Sequence, residues 1–95
     1  MGAGKAGAPM AAALDSLLGR RIAGGWVNVK AGHLWQGKTS CGVIRLHEAG
    51  HPLPDPAGQE GARQIGALLH GLTERDLALC VISGGASALL PLPAA

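Results

Sequence analysis

From Leu77 to Ser87 the chain reads Leu-Ala-Leu-Cys-Val-Ile-Ser-Gly-Gly-Ala-Ser, an apolar run that stops at a small, glycine-rich turn with helix formers behind it. The unbroken run from Leu77 to Ile82 suits a strand covered on both faces, as in a parallel sheet, where polar alternation is not needed. Gly84 and Gly85 permit a tight or left-handed turn and let a ligand approach the backbone closely. A helix beginning near Ala86 would aim free N–H groups and the positive end of its dipole at that turn, where a phosphate or carboxylate is favoured. The same letters also fit an ordinary strand-to-helix connection, because glycine punctuates loops of every kind.

The rest of the chain must form its core from small aliphatic residues. Of 95 residues 47% are hydrophobic, yet Trp26 and Trp35 are the only aromatics, and 16 positions are glycine. Alanine buries little area, and a domain this short already covers a low fraction of its surface. One small domain is therefore expected, relying on further chain or on a partner, a second copy included, to cover its sheet. A net charge of +2, with Arg20-Arg21 the only basic doublet and no Tyr or Phe to stack on bases, argues against nucleic acid. No apolar stretch reaches the roughly 18 residues a membrane span needs, and no signal peptide is evident. A cytoplasmic setting is expected. Cys41 and Cys80 lie far apart in apolar or alternating runs, which reads as two buried free thiols.

Along the chain, a first helix is expected from about Ala8, with Pro9 in its first turn, Met10, Leu14, Leu17 and Leu18 as its packed stripe and Gly19 at its end. Residues 25–30 and 42–48 read as strands. Their connection is too short for a helical crossover, so a hairpin and a separated placement are both open. Ala49 to Pro56 is a proline-stiffened turn. A second helix follows over about Ala57 to Leu69, with Ile65, Leu68, Leu69 and Leu72 as its apolar face. The order helix, strand, strand, helix, strand, helix is an α/β pattern. The opening glycine turn lacks the strand that should feed it, and both ends look cut.

Three segments carry candidate chemistry. Gly2-Ala3-Gly4-Lys5-Ala6-Gly7 fails the Walker A spacing and the dinucleotide fingerprint. It still sets a lysine point charge on a glycine turn before a helix. Gly50-His51-Pro52-Leu53-Pro54-Asp55 holds an imidazole and a carboxylate in one stiff loop. They could position a ligand or assist acid–base chemistry, or Asp55 could simply cap the next helix. His33, His47 and His70 have no metal-ligand spacing with either cysteine, so no metal site is expected. Ser83 and Ser87 lack a nucleophile elbow.

Taken together, Gly2-Ala3-Gly4-Lys5-Ala6, Glu48 to Asp55 and Ile82 to Leu90 resemble, in order and spacing, the bacterial-type glycerate 2-kinases, some formerly labelled hydroxypyruvate reductases. Leu72-Thr73-Glu74-Arg75-Asp76-Leu77 resembles a turn of the same family. The resemblance implies that residues 1–95 are part of a Rossmann-like, mostly parallel N-terminal α/β domain with flanking helices, incomplete here and without the C-terminal domain. It implies ATP-dependent phosphorylation of D-glycerate to 2-phosphoglycerate with Mg²⁺. Lys5 would be the catalytic candidate, while Ser83, Gly84, Gly85, Ala86, Ser87, His51 and Asp55 would border the substrate and phosphate. The 95 residues alone are expected to be inactive. The alternatives are a truncated, non-catalytic chain that binds an anion or depends on a partner, and a hydroxypyruvate reductase. One position departs from the family: Ala86 stands where a third glycine is usual. If it needed positive φ, alanine would cost roughly 1 kcal/mol or more; if helical, it is harmless.

Overall fold

Val27 and Val29 alternate with Asn28 on the central strand, and that alternation divides the molecule into two faces. The computed structural model describes residues 1–34, 37–50 and 55–89, the side chains of Ser87 and Ala88 excepted. Among them β1 (Gly2–Ala3), β2 (Gly25–Lys30), β3 (Ser40–Cys41), β4 (Ile44–Ala49) and β5 (Val81–Ile82) form one sheet in the order β3-β4-β2-β1-β5. Its pairings are parallel except that of β3 with β4. The helices are α1 (Gly7–Leu18), α2 (Pro56–His70) and α3 (Ala86–Leu89), with a 3-10 turn over Gly19–Arg21.

On one face Ala8 and Ala11 of α1 pack on Val27, Val29, Ile44, Leu46 and Cys41. Full burial of a valine contributes about 1.5–3 kcal/mol, so Val27 and Val29 carry more of this core than the alanines do. The small residues matter for closeness: a Cβ at Gly7 would come within 2.7 Å of the Val27 side chain. The expected stripe of α1 is packed only in part: Leu14 lies against this core and Met10 and Leu18 are half-buried, while Leu17 is 81% exposed. On the other face α2 lies against β2 and β4 through Gly58, Gly61, Ala62 and Ile65. Here too the expected apolar face is only partly used, because Leu68, Leu69 and Leu72 are exposed.

Three further expectations are corrected. A strand does feed the opening turn, since Gly2 and Ala3 pair in parallel with β2 and with β5. Two residues of low β propensity suffice because a neighbour on each side supplies the pairing. The apolar run 77–82 is a covered strand in neither respect. Pairing is limited to Val81 and Ile82, and residues 77–80 are exposed, because β5 is the edge of the sheet. Cys80 is consequently exposed, whereas Cys41 is buried, and both are free thiols. The open question of residues 25–30 and 42–48 resolves as a parallel pair in register from Gly25 with Ile44 to Lys30 with Ala49. The hairpin in this region is instead the short one between β3 and β4, turning through Gly42 at φ 59°.

Candidate anion site at the carboxyl edge of the sheet

From β1 the chain passes through α1 to β2 and then β4 on one side, while the connection through α2 delivers β5 to the other side. Strand order thus reverses between β1 and β5. In open α/β sheets ligands bind outside the carboxyl ends of the strands at such a point. The two turns that leave those ends are Gly4-Lys5-Ala6 and Ser83-Gly84-Gly85.

They are zipped together. The Lys5 amide donates to the Gly84 carbonyl at 2.9 Å, and the Ser83 amide donates to the Ala3 carbonyl at 3.1 Å. The Ala6 amide donates to Ser83 Oγ at 2.9 Å. Gly4, at φ 133°, has no room for a side chain, since its Cβ would fall on the Ser83 hydroxyl. The first glycine of the turn is thus required both by conformation and by contact.

This bonding narrows the anion-binding set. The amides of Ser83 and Ala86 are taken, the latter by the Ser83 carbonyl at 3.3 Å. Among the described residues, the amides of Gly84 and Gly85 have no protein acceptor. The Ser83 hydroxyl accepts from Ala6 and retains its own proton to donate. Lys5 is exposed and, among the described residues, forms no ion pair. Gly85 carries the left-handed conformation, at φ 86°, and Ala86 is the first residue of α3. Alanine in place of the family's usual glycine is therefore compatible with this turn.

Asp55 caps α2, accepting from the Gly58 amide at 2.9 Å. The amides of Gly50 and Gly58 hold its carboxyl below the usual carboxylate range. His51 lies outside the described residues, as does the side chain of Ser87. On β4, His47 Nε2 donates to the Ala57 carbonyl at 2.7 Å, beside the Trp26 ring at 5.2 Å between centroids. The Arg45 guanidinium lies 5.8 Å from the centre of that ring, within cation–π reach. A groove of about 590 Å³ lies at the opposite, amino edge of the sheet and is lined by none of these candidates.

Sequence reasoning passed over Asn28. It is fully buried and bonds to Trp26, Gly58 and Leu89. The available signal was a carboxamide between two valines in a strand, which must find partners if it is buried.

All 95 residues match the family described as "Domain of unknown function (DUF4147)". A protein of Agrobacterium vitis that carries a provisional hydroxypyruvate reductase name is 43% identical over 95 residues, which is 100% of this chain and 24% of the relative. A D-glycerate 2-kinase of Thermotoga maritima is 38% identical over 90 residues, or 95% of this chain and 21% of the relative. The crystal structure of a glycerate kinase from Thermotoga maritima superposes with a TM-score of 0.89 at 36% identity, covering 98% of this chain and 22% of that one. The chain thus spans about a fifth to a quarter of the length of the curated relatives it matches.

Proposed function

The chain belongs to the DUF4147 family, and from that premise we propose that it carries the anion-binding part of an ATP-dependent D-glycerate 2-kinase that forms 2-phosphoglycerate. The observation that supports this reading is the convergence of the Lys5 turn and the Ser83 turn at the strand-order reversal, where the Gly84 and Gly85 amides meet no acceptor among the described residues. Phosphoryl transfer asks mainly for positioning and for neutralisation of charge spread over the phosphoryl oxygens. Two adjacent main-chain donors, a hydroxyl and an exposed ammonium supply both, and none of them must change protonation state. Lys5 is the candidate for the transferring group, and Ser83, Gly84 and Gly85 for holding phosphate or the glycerate carboxylate.

ATP and Mg²⁺ come from the family resemblance. Among the described residues no three His, Cys, Asp or Glu side chains gather into a metal site, so no step is assigned to the ion. In this reading residues 1–95 are a portion of the N-terminal Rossmann-like domain, and turnover requires the longer polypeptide.

Titration of the labelled chain with inorganic phosphate and with D-glycerate tests the site. The Lys5, Ala6, Gly84 and Gly85 amides should shift together, and shifts scattered elsewhere would sink the proposal. The 95 residues alone should form no 2-phosphoglycerate from ATP and D-glycerate. In a full-length relative, alanine at the lysine equivalent to Lys5 should lower kcat by about a hundredfold, the scale of losing one charge-stabilising donor. The name of the Agrobacterium relative favours a second reading, reduction of hydroxypyruvate. NADH oxidation with hydroxypyruvate by a full-length relative, without kinase turnover, would select it.

A further inference from the structure

We propose that Asn28 is a positioning residue that holds the loops of the anion site in one register without touching the ligand. That the loops bind phosphate rests on the kinase reading; the holding role does not. The Asn28 carbonyl accepts from the Gly4 amide at 3.2 Å, at the start of the Lys5 turn. Its side-chain Nδ2 donates one hydrogen to the Leu89 carbonyl at 2.6 Å and the other to the Gly58 carbonyl at 3.2 Å. Its Oδ1 accepts from the Trp26 indole at 2.9 Å. Two carbonyl acceptors and one indole donor decide which end of the amide is nitrogen.

Apart from the Trp26 bond within β2, these contacts reach three separate segments: the Gly4 turn, the first turn of α2 and the end of α3. Leu89 closes α3, the four-residue helix directly behind Ser83-Gly84-Gly85. Gly58 is in the first turn of α2, directly behind Asp55. One turn of helix has no stability of its own. Among the described residues, the contacts that hold α3 include the buried Leu89 side chain and Ala86 against Ala3 and Ala49, its packing on α2, and this amide. A glycine on α2 makes the arrangement possible, since a Cβ at Gly61 would fall on the Asn28 amide. At Gly66, on the same helix, a Cβ would meet nothing within 4 Å.

The test compares three variants by amide hydrogen exchange and by affinity for inorganic phosphate. Asn28→Asp keeps the shape and turns lone pairs toward two carbonyls. Gly61→Ala displaces the amide from the helix side. Gly66→Ala is the control. The first two should speed exchange at Lys5, Ala6, Ser83 and Ala86 by about tenfold or more, as a buried hydrogen bond left unmade implies. They should weaken phosphate binding in parallel and leave the β2–β4 ladder within about twofold. Gly66→Ala should change neither. If Asn28→Asp does not fold, the two glycine variants decide. Equal behaviour of Gly61→Ala and Gly66→Ala, or loss of protection spread evenly through β2 and β4, overturns the proposal. If the unaltered chain binds no phosphate, the kinase reading falls and the exchange data still judge Asn28.

Discussion

The Lys5 amide is bonded to the Gly84 carbonyl, so its turn is fixed from within while the side chain remains exposed. An ammonium in that position acts through its charge rather than through packing. Lys5→Ala should therefore leave the thermal midpoint almost unchanged and weaken phosphate binding by about three- to tenfold, with the difference shrinking in high salt. Calorimetric titration at two ionic strengths reads both effects. Asp55 is a different case, because its carboxylate is part of a helix cap. Its pKa is depressed by the Gly50 and Gly58 amides. The group thus stabilises the fold above its unfolded pKa of about 3.9, and the contribution disappears as pH falls through the lower folded value. Asp55→Ala should lower the thermal midpoint at pH 7, and the gap from the parent chain should narrow as the pH drops below about 4.

Glycine and alanine do in this fold what leucine was expected to do. Helix α1 buries Gly7, Ala8 and Ala11, and α2 buries Gly58, Gly61 and Ala62 together with Ile65. Small faces let the helices settle close to the sheet, and longer side chains are left at the rims. Helix α3 tests the glycine question directly. Because Ala86 is helical, Ala86→Gly should cost about 0.5–1 kcal/mol, seen as a lower unfolding midpoint in urea. A gain in stability would mean that this residue prefers positive φ after all.

Taken as a body, the sheet carries a helix on each face and has an open border at β5. Leu77 is 82% exposed and Ile82 66%. Leu77 also lines the amino-edge groove, together with Leu68, Leu69, Leu72 and Leu79. Parallel sheets are ordinarily covered on both faces, and an exposed apolar edge strand invites pairing with another chain. The 95-residue chain should therefore self-associate as its concentration rises. Leu77→Lys combined with Ile82→Lys should reduce that association in sedimentation velocity, and an unchanged profile would remove the edge as its cause.

The α/β class, the helix spans, the 25–30 strand and the glycine turns could be read directly from residue order. Each depends on local chemistry: proline and glycine placement, helical spacing, and an aspartate at a cap. The Lys5 and Ser83 turns were also legible as separate candidates. Their meeting was implied by the family resemblance and not by residue order, because 77 residues separate Ala6 from the Ser83 hydroxyl that accepts its amide, and the insertion of β1 between β2 and β5 joins them. The same non-local pairing makes a strand of Gly2 and Ala3, leaves the most apolar segment at an edge, and buries Asn28 between the Gly4 turn, α2 and α3. Composition and periodicity report what a segment can bury. Which neighbour buries it is decided by strand order, a property of the assembled sheet.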